Sequence, residues 1–345
     1  MVSRRIQANR IMPFATIFAL ILATDNVIRI AHSSSKLKIV LFIAPKENFS
    51  AVPENLMLWR QALVEAGGNV VLLLNRISDI RLAIAAGFLT EPVLLSRRGL
   101  PLLSSILQTT TRYKTSIVGL CNSDLSPNGA KTSAFLRYLA AEHVALLSHI
   151  DVLNVFHDEL RGKWLIAANR FDFNEDVARR EPHMSGGVDF WLWNHASSGF
   201  MGFKAQIPTF RLGRPLFDNW LTATVMQLGQ RRTIDATFVL DVLHKNHKRL
   251  GHLSDWRNTT LLMYDEDWLE NKRLSKVRIC ISNICSRYRG GFGTACEAPY
   301  YFKSDDDFDN GPKYAVQKRS LTKPCRPSHR ITSALLIPKT QAVVA

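Results

Sequence analysis

Five short stretches of this chain put charged or polar side chains directly after apolar runs. Asn122-Ser123-Asp124 follows TSIVGLC. Asp124 offers a carboxylate and Asn122 a carbonyl oxygen, the hard oxygen ligands that Mg2+ or Mn2+ takes, often with substrate phosphates completing the shell. The same three residue types also suit a plain strand-end turn. Asn169-Arg170-Phe171-Asp172 follows WLIAA. Arg170 can grip a phosphate bidentately, with Asp172 orienting it or a sugar hydroxyl; the alternative is a local surface ion pair. In Ser185-Gly186-Gly187-Val188-Asp189 the paired glycines allow a ligand to approach the backbone, and Asp189 faces a pocket or simply ends a turn.

The fourth stretch, IPTFRLGRPLFDNWL at 207–221, holds Arg211, Arg214, Asp218, Asn219 and Trp220. Two cations suit an anionic or polyhydroxylated ligand, and Trp220 offers a face for a sugar ring. Asp218-Asn219 is suited to cap a helix starting near Trp220. The fifth, His244-Lys245-Asn246-His247, is a two-histidine spacing that needs a third ligand such as His252, or else marks surface histidines.

Positioning these groups requires a scaffold, and the hydrophobic pattern supplies one. Lys38–Ile43, Val70–Leu74, Pro92–Leu95, Thr115–Cys121, Trp164–Ala168 and Val188–Trp193 read as buried strands. Glu54–Ala66, closed by Gly67-Gly68, reads as a helix, as do Ile77–Ala86, Leu100–Thr109, Ser133–Val155 and Phe217–Leu228. Ile234–Leu243 reads as a strand running into a loop. The alternation predicts an α/β fold, a mostly parallel central sheet flanked by helices. Candidate ligand residues then fall where such sheets bind ligands, outside the carboxyl ends of strands. No G-x-G-x-x-G or G-K-[ST] fingerprint follows a strand, which argues against nicotinamide and P-loop chemistry.

The chain has 345 residues, 46% hydrophobic and 21% charged, with a net charge of +15. From Asn271 to Ala345 there are 14 Lys/Arg against 5 Asp/Glu, so +9 of the excess lies there. A tail of this kind is attracted to anionic surfaces without specificity, and no zinc-finger spacing or interleaved aromatic pattern predicts a specific nucleic-acid partner. Arg4, Arg5 and Arg10 precede an apolar run, Ile11–Ala23, and Asp25 follows. That run is short for a membrane span of roughly 20 residues but fits a secretory signal or a short signal-anchor. Four of the five cysteines, Cys280, Cys285, Cys296 and Cys325, fall late in the chain and can form two bridges in an oxidising compartment; Cys121 stands apart.

In order, LPLLSSIL, VGLCNSDL, WLIAANRFDF, GGVDFWLW, IPTFRLGRPLFDNWL and IDATFVLDVLHKNH resemble segments of little-characterised glycosyltransferase-like proteins of the nucleotide-diphospho-sugar transferase fold. The family's segments are similar to INADI, GxRWDLD, GxDYFVF, IPPFxxGRPxWDNWL and IDxT…HQNH, and the resemblance covers roughly residues 37–255. It implies a GT-A-type fold, a nucleotide-sugar donor, and a divalent cation (Mn2+ or Mg2+) at Asn122–Asp124 joined by His244 or His247. It also implies that Asp218 serves as base. Two departures stand out: Asn122 occupies the first position of the usual Asp-x-Asp, and Phe171 replaces the tryptophan of RWD.

These readings predict a targeting segment at 1–35, a single glycosyltransferase-like domain at 36–256 and a basic, loosely structured extension at 257–345. The expected partners are a nucleotide-sugar donor and a glycan or glycoprotein acceptor. The expected site set is Asp218 as base, Arg170, Asp172, Gly187, Asp189, Arg211, Arg214, Asn219 and Trp220 around the substrate, and Asn122, Asp124, His244 and His247 at the metal. The expected location is the secretory pathway, as a signal-anchored protein of the Golgi lumen, with secretion or an organelle as alternatives. A relative that has lost catalysis but binds a glycan or nucleotide is the alternative function.

Overall fold

Residues Ile39–Ile43 form strand β1, and all five are buried. Ile39, Leu41 and Ile43 enter one hydrophobic core, while Val40 and Phe42 enter another on the opposite face. A strand that must fill two apolar layers has no place for a polar residue, hence the unbroken run. The computed structural model describes residues 37–142, 163–174, 177–182, 188–194, 207–228, 231–245, 265–281, 284–286, 294–305 and 313–319.

Strands β2 (Asn69–Leu73), β3 (Leu89–Glu91) and β4 (Ile117–Cys121) lie parallel in the order β3-β2-β1-β4. Helices α1 (Glu54–Glu65), α2 (Ile77–Ala85) and α3 (Leu103–Thr110) provide the crossovers. Helix α1 buries Leu56, Trp59, Ala62 and Leu63 on the first core, while Val64 turns outward. It stops at Gly67, whose φ of +72° suits glycine, and Gly68 lies so close to the Ile39 carbonyl that a Cβ would sit 2.4 Å from it. The third strand forms before Pro92, not across it, because proline has no N–H for the ladder.

The sheet continues past β4 through residues far along the chain. It takes in β6 (Trp164–Ala168), β9 (Phe190–Asn194), β10 (Arg232–Asp235), β14 (Tyr300–Asp305) and β15 (Lys313–Lys318). The full order is β15-β14-β10-β6-β9-β4-β1-β2-β3. Only β9 and the edge strand β15 run antiparallel to their neighbours. A second sheet of four strands, β5-β11-β7-β8, joins β5 (Leu125–Pro127), β11 (Val242–Lys245), β7 (Phe171–Asn174) and β8 (Val177–Pro182). Helix α4 (Gly129–Glu142) packs Phe135, Leu136 and Leu139 into the first core. Helix α5 (Phe217–Leu228) packs Trp220, Leu221 and Val225 into the second, beside Leu103, Ile106 and Leu107 of α3. The result is an α/β fold whose large, mostly parallel sheet has helices on both faces.

Three expectations need revision. The helix predicted over 133–155 begins at Gly129 and is described to Glu142; the rest lies outside the described residues. The predicted 234–243 strand breaks into β10, the short helix α6 (Thr237–Leu240) and β11, with Asp241 at φ +54° turning the chain between the last two. The boundary at 256 also fails. Helix α7 (Glu266–Leu274) docks on the main body, and Tyr300 and Phe302 of β14 are buried in the first core. Charge misled the reading here: positive residues dominate this segment, but Leu274, Ile279, Ala295, Tyr300 and Phe302 pack inward. No helix among the described residues is long and apolar enough to cross a membrane, and the expected targeting segment at 1–35 lies outside them.

Candidate functional site

Because β9 runs against its neighbours, its first residues lie at the same end of the sheet as the last residues of β4 and β6. Phe190 is opposite both Cys121 and Ala168. Asp189 therefore sits between Asn122 and Arg170: its carbonyl accepts from the Asn122 N–H at 3.0 Å, and its own N–H donates to Ala168 at 3.2 Å. Its Oδ1 accepts from the Asn122 amide at 2.7 Å and from Arg170 at 3.2 Å.

The small sheet delivers the histidine. In its ladder His244 pairs with Leu125 on one side and Asp172 on the other. The buried imidazole consequently lies between two carboxylates, with Nε2 3.3 Å from Asp124 Oδ2 and Nδ1 3.0 Å from Asp172 Oδ1. The same Asp172 oxygen accepts from Arg170 Nε at 2.9 Å. Burial disfavours the imidazolium, but the hydrogen bonds to Asp124 and Asp172 outweigh it and push the His244 pKa up to about 9. For Asp124, burial raises the pKa, yet the contacts with His244 and the charge of Arg170 hold it below the usual carboxylate value.

Helix α1 fixes the loop that carries Asp124. Asn55 donates to the Ser123 carbonyl at 2.8 Å and the Leu125 carbonyl at 2.9 Å, and Trp59 Nε1 donates to Leu125 at 3.0 Å. The Trp59 ring stacks on Phe190 at 5.3 Å, bracing the residue after Asp189 as well. Neither Asn55 nor Trp59 stands out in the sequence as a residue of the site. An amide on the first turn of a helix carries no signal that it will reach residue 123.

Asp218 reaches this group from the other core. It lies in the first turn of α5, not at its cap, and Leu216 before it is held at φ +85°. Asp218 Oδ1 is sealed from solvent and accepts no hydrogen bond among the described residues. Burial and the charge of Asp189 push the Asp218 pKa up to about 7, against the opposing pull of the Asn219 N–H and Arg170. Arg170 thus stands in the field of both Asp124 and Asp218.

The two arginines of the 207–221 stretch do not line this centre. Arg211 faces Asp267 and Glu270 at 3.5 Å each, and Arg214 bonds Asp265 at 2.7 Å. All three acids belong to α7 or the residue before it. Asn271, fully buried on α7, accepts from the Arg211 N–H at 2.9 Å and donates to the carbonyls of Arg211, Arg214 and Pro215 at 3.0–3.2 Å. The arginines and Asn271 together splint the loop that ends in Asp218. Trp220 is not a sugar platform either: it is fully buried, 4.9 Å from Phe210, and donates to the Val277 carbonyl. Asn219 is partly buried beside Asp218, while Gly187 and His247 lie outside the described residues.

Asp124 Oδ2 and His244 Nε2 are the pair of atoms that could hold a divalent cation. Asp124, Asp172 and Asp189 face one permanent cation, Arg170; with His244 protonated, three negative charges and two positive leave −1, and loss of the imidazolium proton to a bound metal would leave −2. Two ligand atoms 3.3 Å apart can both lie about 2.1 Å from one ion, at an angle of roughly 100°. The Asp172–Nδ1 contact is the brace that metal-binding histidines ordinarily have. Asn122 donates its Nδ2 to Asp189, which fixes the amide and leaves its Oδ1, the expected ligand atom, outside that bond. Among the described residues no group of three or more His, Cys, Asp or Glu side chains is placed to hold a metal ion. Mg2+ is often held by only one or two protein ligands, with substrate phosphates completing its shell.

No family model matches the chain, and no curated protein matches it. Among solved structures, the crystal structure of HddC from Yersinia pseudotuberculosis is similar at 11% identity with a TM-score of 0.26, over 51% of this chain and 84% of that one. Its complex with GMP-PN gives 12% and 0.26, over 61% and 90%. Likeness at that level assigns neither fold family nor function.

Proposed function

We propose that this chain is a GT-A-type glycosyltransferase that moves a sugar from a nucleotide-diphospho-sugar to an acceptor hydroxyl. The observation that supports it is the contact set of Asp124, His244, Asp172, Arg170 and Asp189 at the carboxyl edge of the sheet, with Asp218 in the field of Asp189 and Arg170. Asp124 and His244 Nε2 would hold Mn2+ or Mg2+, whose charge stabilises a departing diphosphate. Asp172 orients the histidine, and Arg170 supplies a fixed positive charge beside the same centre. Asp218, with a pKa near 7, is poised to take a proton from an acceptor hydroxyl. A screen of nucleotide sugars, with Mn2+ and with chelator, tests the reading: nucleoside diphosphate release that requires both Asp124 and the metal supports it, and release unaffected by Asp124→Ala removes it.

A second reading, a non-catalytic relative that binds a nucleotide or glycan, draws on Asn122, which replaces a carboxylate and is turned toward Asp189. Calorimetry showing metal-independent binding without hydrolysis would favour it. The proposed place is the secretory pathway, in keeping with the disulfide-bonded state of Cys280 and Cys296; Cys121 is a buried free thiol.

A further inference from the structure

The loops after β2 and β3 are welded into one surface. Asn75 donates to the Val93 carbonyl at 2.9 Å and accepts the Val93 N–H at 3.2 Å. Flanking this weld, Ile77 is 54% exposed and Leu94 67%, with Leu95 beside it at 39%. Beyond them the chain makes a tight hairpin: Leu102 donates to Leu94, Ser96 to Leu100, and Gly99 to Ser96. The Ser96 hydroxyl also accepts from the N–H groups of Arg98 and Leu100, so the tip is held in one shape. That tip presents Arg97 and Arg98. Arg76 and Arg81 are exposed on and beside α2.

The balancing acids are few. Asp79 is buried and accepts from the Asn48 N–H, and Glu47 is taken by the Asn75 N–H. Asp79 also lies 4.0 Å from Arg76 Nε, and Glu266, itself mostly exposed, meets Arg98 at 3.5 Å; among the described residues Arg81 and Arg97 have no such ion pair. Exposed leucine and isoleucine with a surplus of arginine and a rigid backbone is the chemistry of an interfacial membrane contact, apolar groups entering among lipid chains and cations meeting anionic headgroups. An acidic protein would satisfy the arginines but give Leu94 no reason to be bare. We propose that the rim formed by Ile77, Leu94, Leu95, Arg97 and Arg98 seats the protein on an anionic bilayer. In a parallel sheet the loops after β2, β3 and β4 share one end. The rim therefore opens on the same side as Asp124, which would place the site over a membrane-borne acceptor. The contact itself does not depend on the reaction.

The test is sedimentation of the full chain with vesicles of phosphatidylcholine, alone or with about 30% phosphatidylserine. Each arginine near an anionic leaflet contributes roughly fivefold, so R97A/R98A should weaken partitioning onto the mixed vesicles by about 25-fold and leave pure phosphatidylcholine unaffected. L94S/L95S should weaken it roughly tenfold or more. Should L94S/L95S lower the unfolding midpoint, Leu94→Gln alone, at the barest position, is read instead. Wild-type partitioning by either the arginine or the leucine variant overturns the proposal. So does equal affinity for the two vesicle types, or binding of an acidic peptide without binding of vesicles.

Discussion

Asn271 offers the sharpest test of how Asp218 is held. Its side chain accepts one hydrogen bond and reaches three carbonyls with two amide hydrogens, all on the loop from Arg211 to Pro215. Counting three effective bonds at a net ~1 kcal/mol each, Asn271→Ala should cost about 3 kcal/mol. For a domain of this size that lowers the unfolding midpoint by about 6–12 °C. Asn271→Asp is the discriminating partner. It still accepts from the Arg211 N–H but cannot donate, and it sets a negative charge against three carbonyl oxygens. It should therefore be at least as damaging as alanine. Thermal or denaturant unfolding followed by near-UV circular dichroism measures both. A midpoint change below about 2 °C for alanine, or a wild-type midpoint for aspartate, would refute the splint.

Other outcomes follow from the same geometry. Asp218→Asn should cut diphosphate release by about 10²–10⁴-fold. It should also remove a pH-dependent cost: the native Asp218 pKa is raised to about 7, so wild-type stability falls as pH climbs from about 4 through 7, and the variant, followed by melting across that range, lacks that part of the decline. Asp124→Asn and His244→Ala should abolish Mn2+ binding seen by electron paramagnetic resonance, whereas Asp172→Asn should weaken it 10–100-fold through loss of the Nδ1 brace; wild-type affinity in all three would leave the cation without a site. Gly119→Ala, in the middle of β4, would drive a Cβ to 2.5 Å from Leu192 and 2.9 Å from the Trp191 carbonyl and should cost about 3 kcal/mol in denaturant titration; a neutral result would mean the strands can part there.

Strand runs such as Ile39–Ile43 and Trp164–Ala168 were legible because burial on both faces leaves no polar residue in them. Asp124, Asp172, Asp189 and His244 were legible because each stands at or near the end of such a run, where a sheet exposes its loops. Their mutual contacts were not, since His244 and Asp124 meet only through the pairing of β11 with β5, a long-range event that no local pattern encodes. Arg211 and Arg214 misled because a cation near apolar residues reads the same whether it awaits a ligand or an acid from a distant helix. Their partners, Asp265, Asp267 and Glu270, lie in a segment whose positive charge concealed its packing.

The late strands also bear on how the chain assembles during synthesis. Strand β10 carries Asp235, whose carboxylate is held by Arg319 at 2.7 Å, and its open side is covered only by β14. Until the ribosome has released residues 300–305, the unpaired N–H and C=O groups of β10 form a bare edge that a neighbouring nascent chain can pair with. A stop codon placed between 256 and 300 should therefore yield aggregates rather than a smaller working protein.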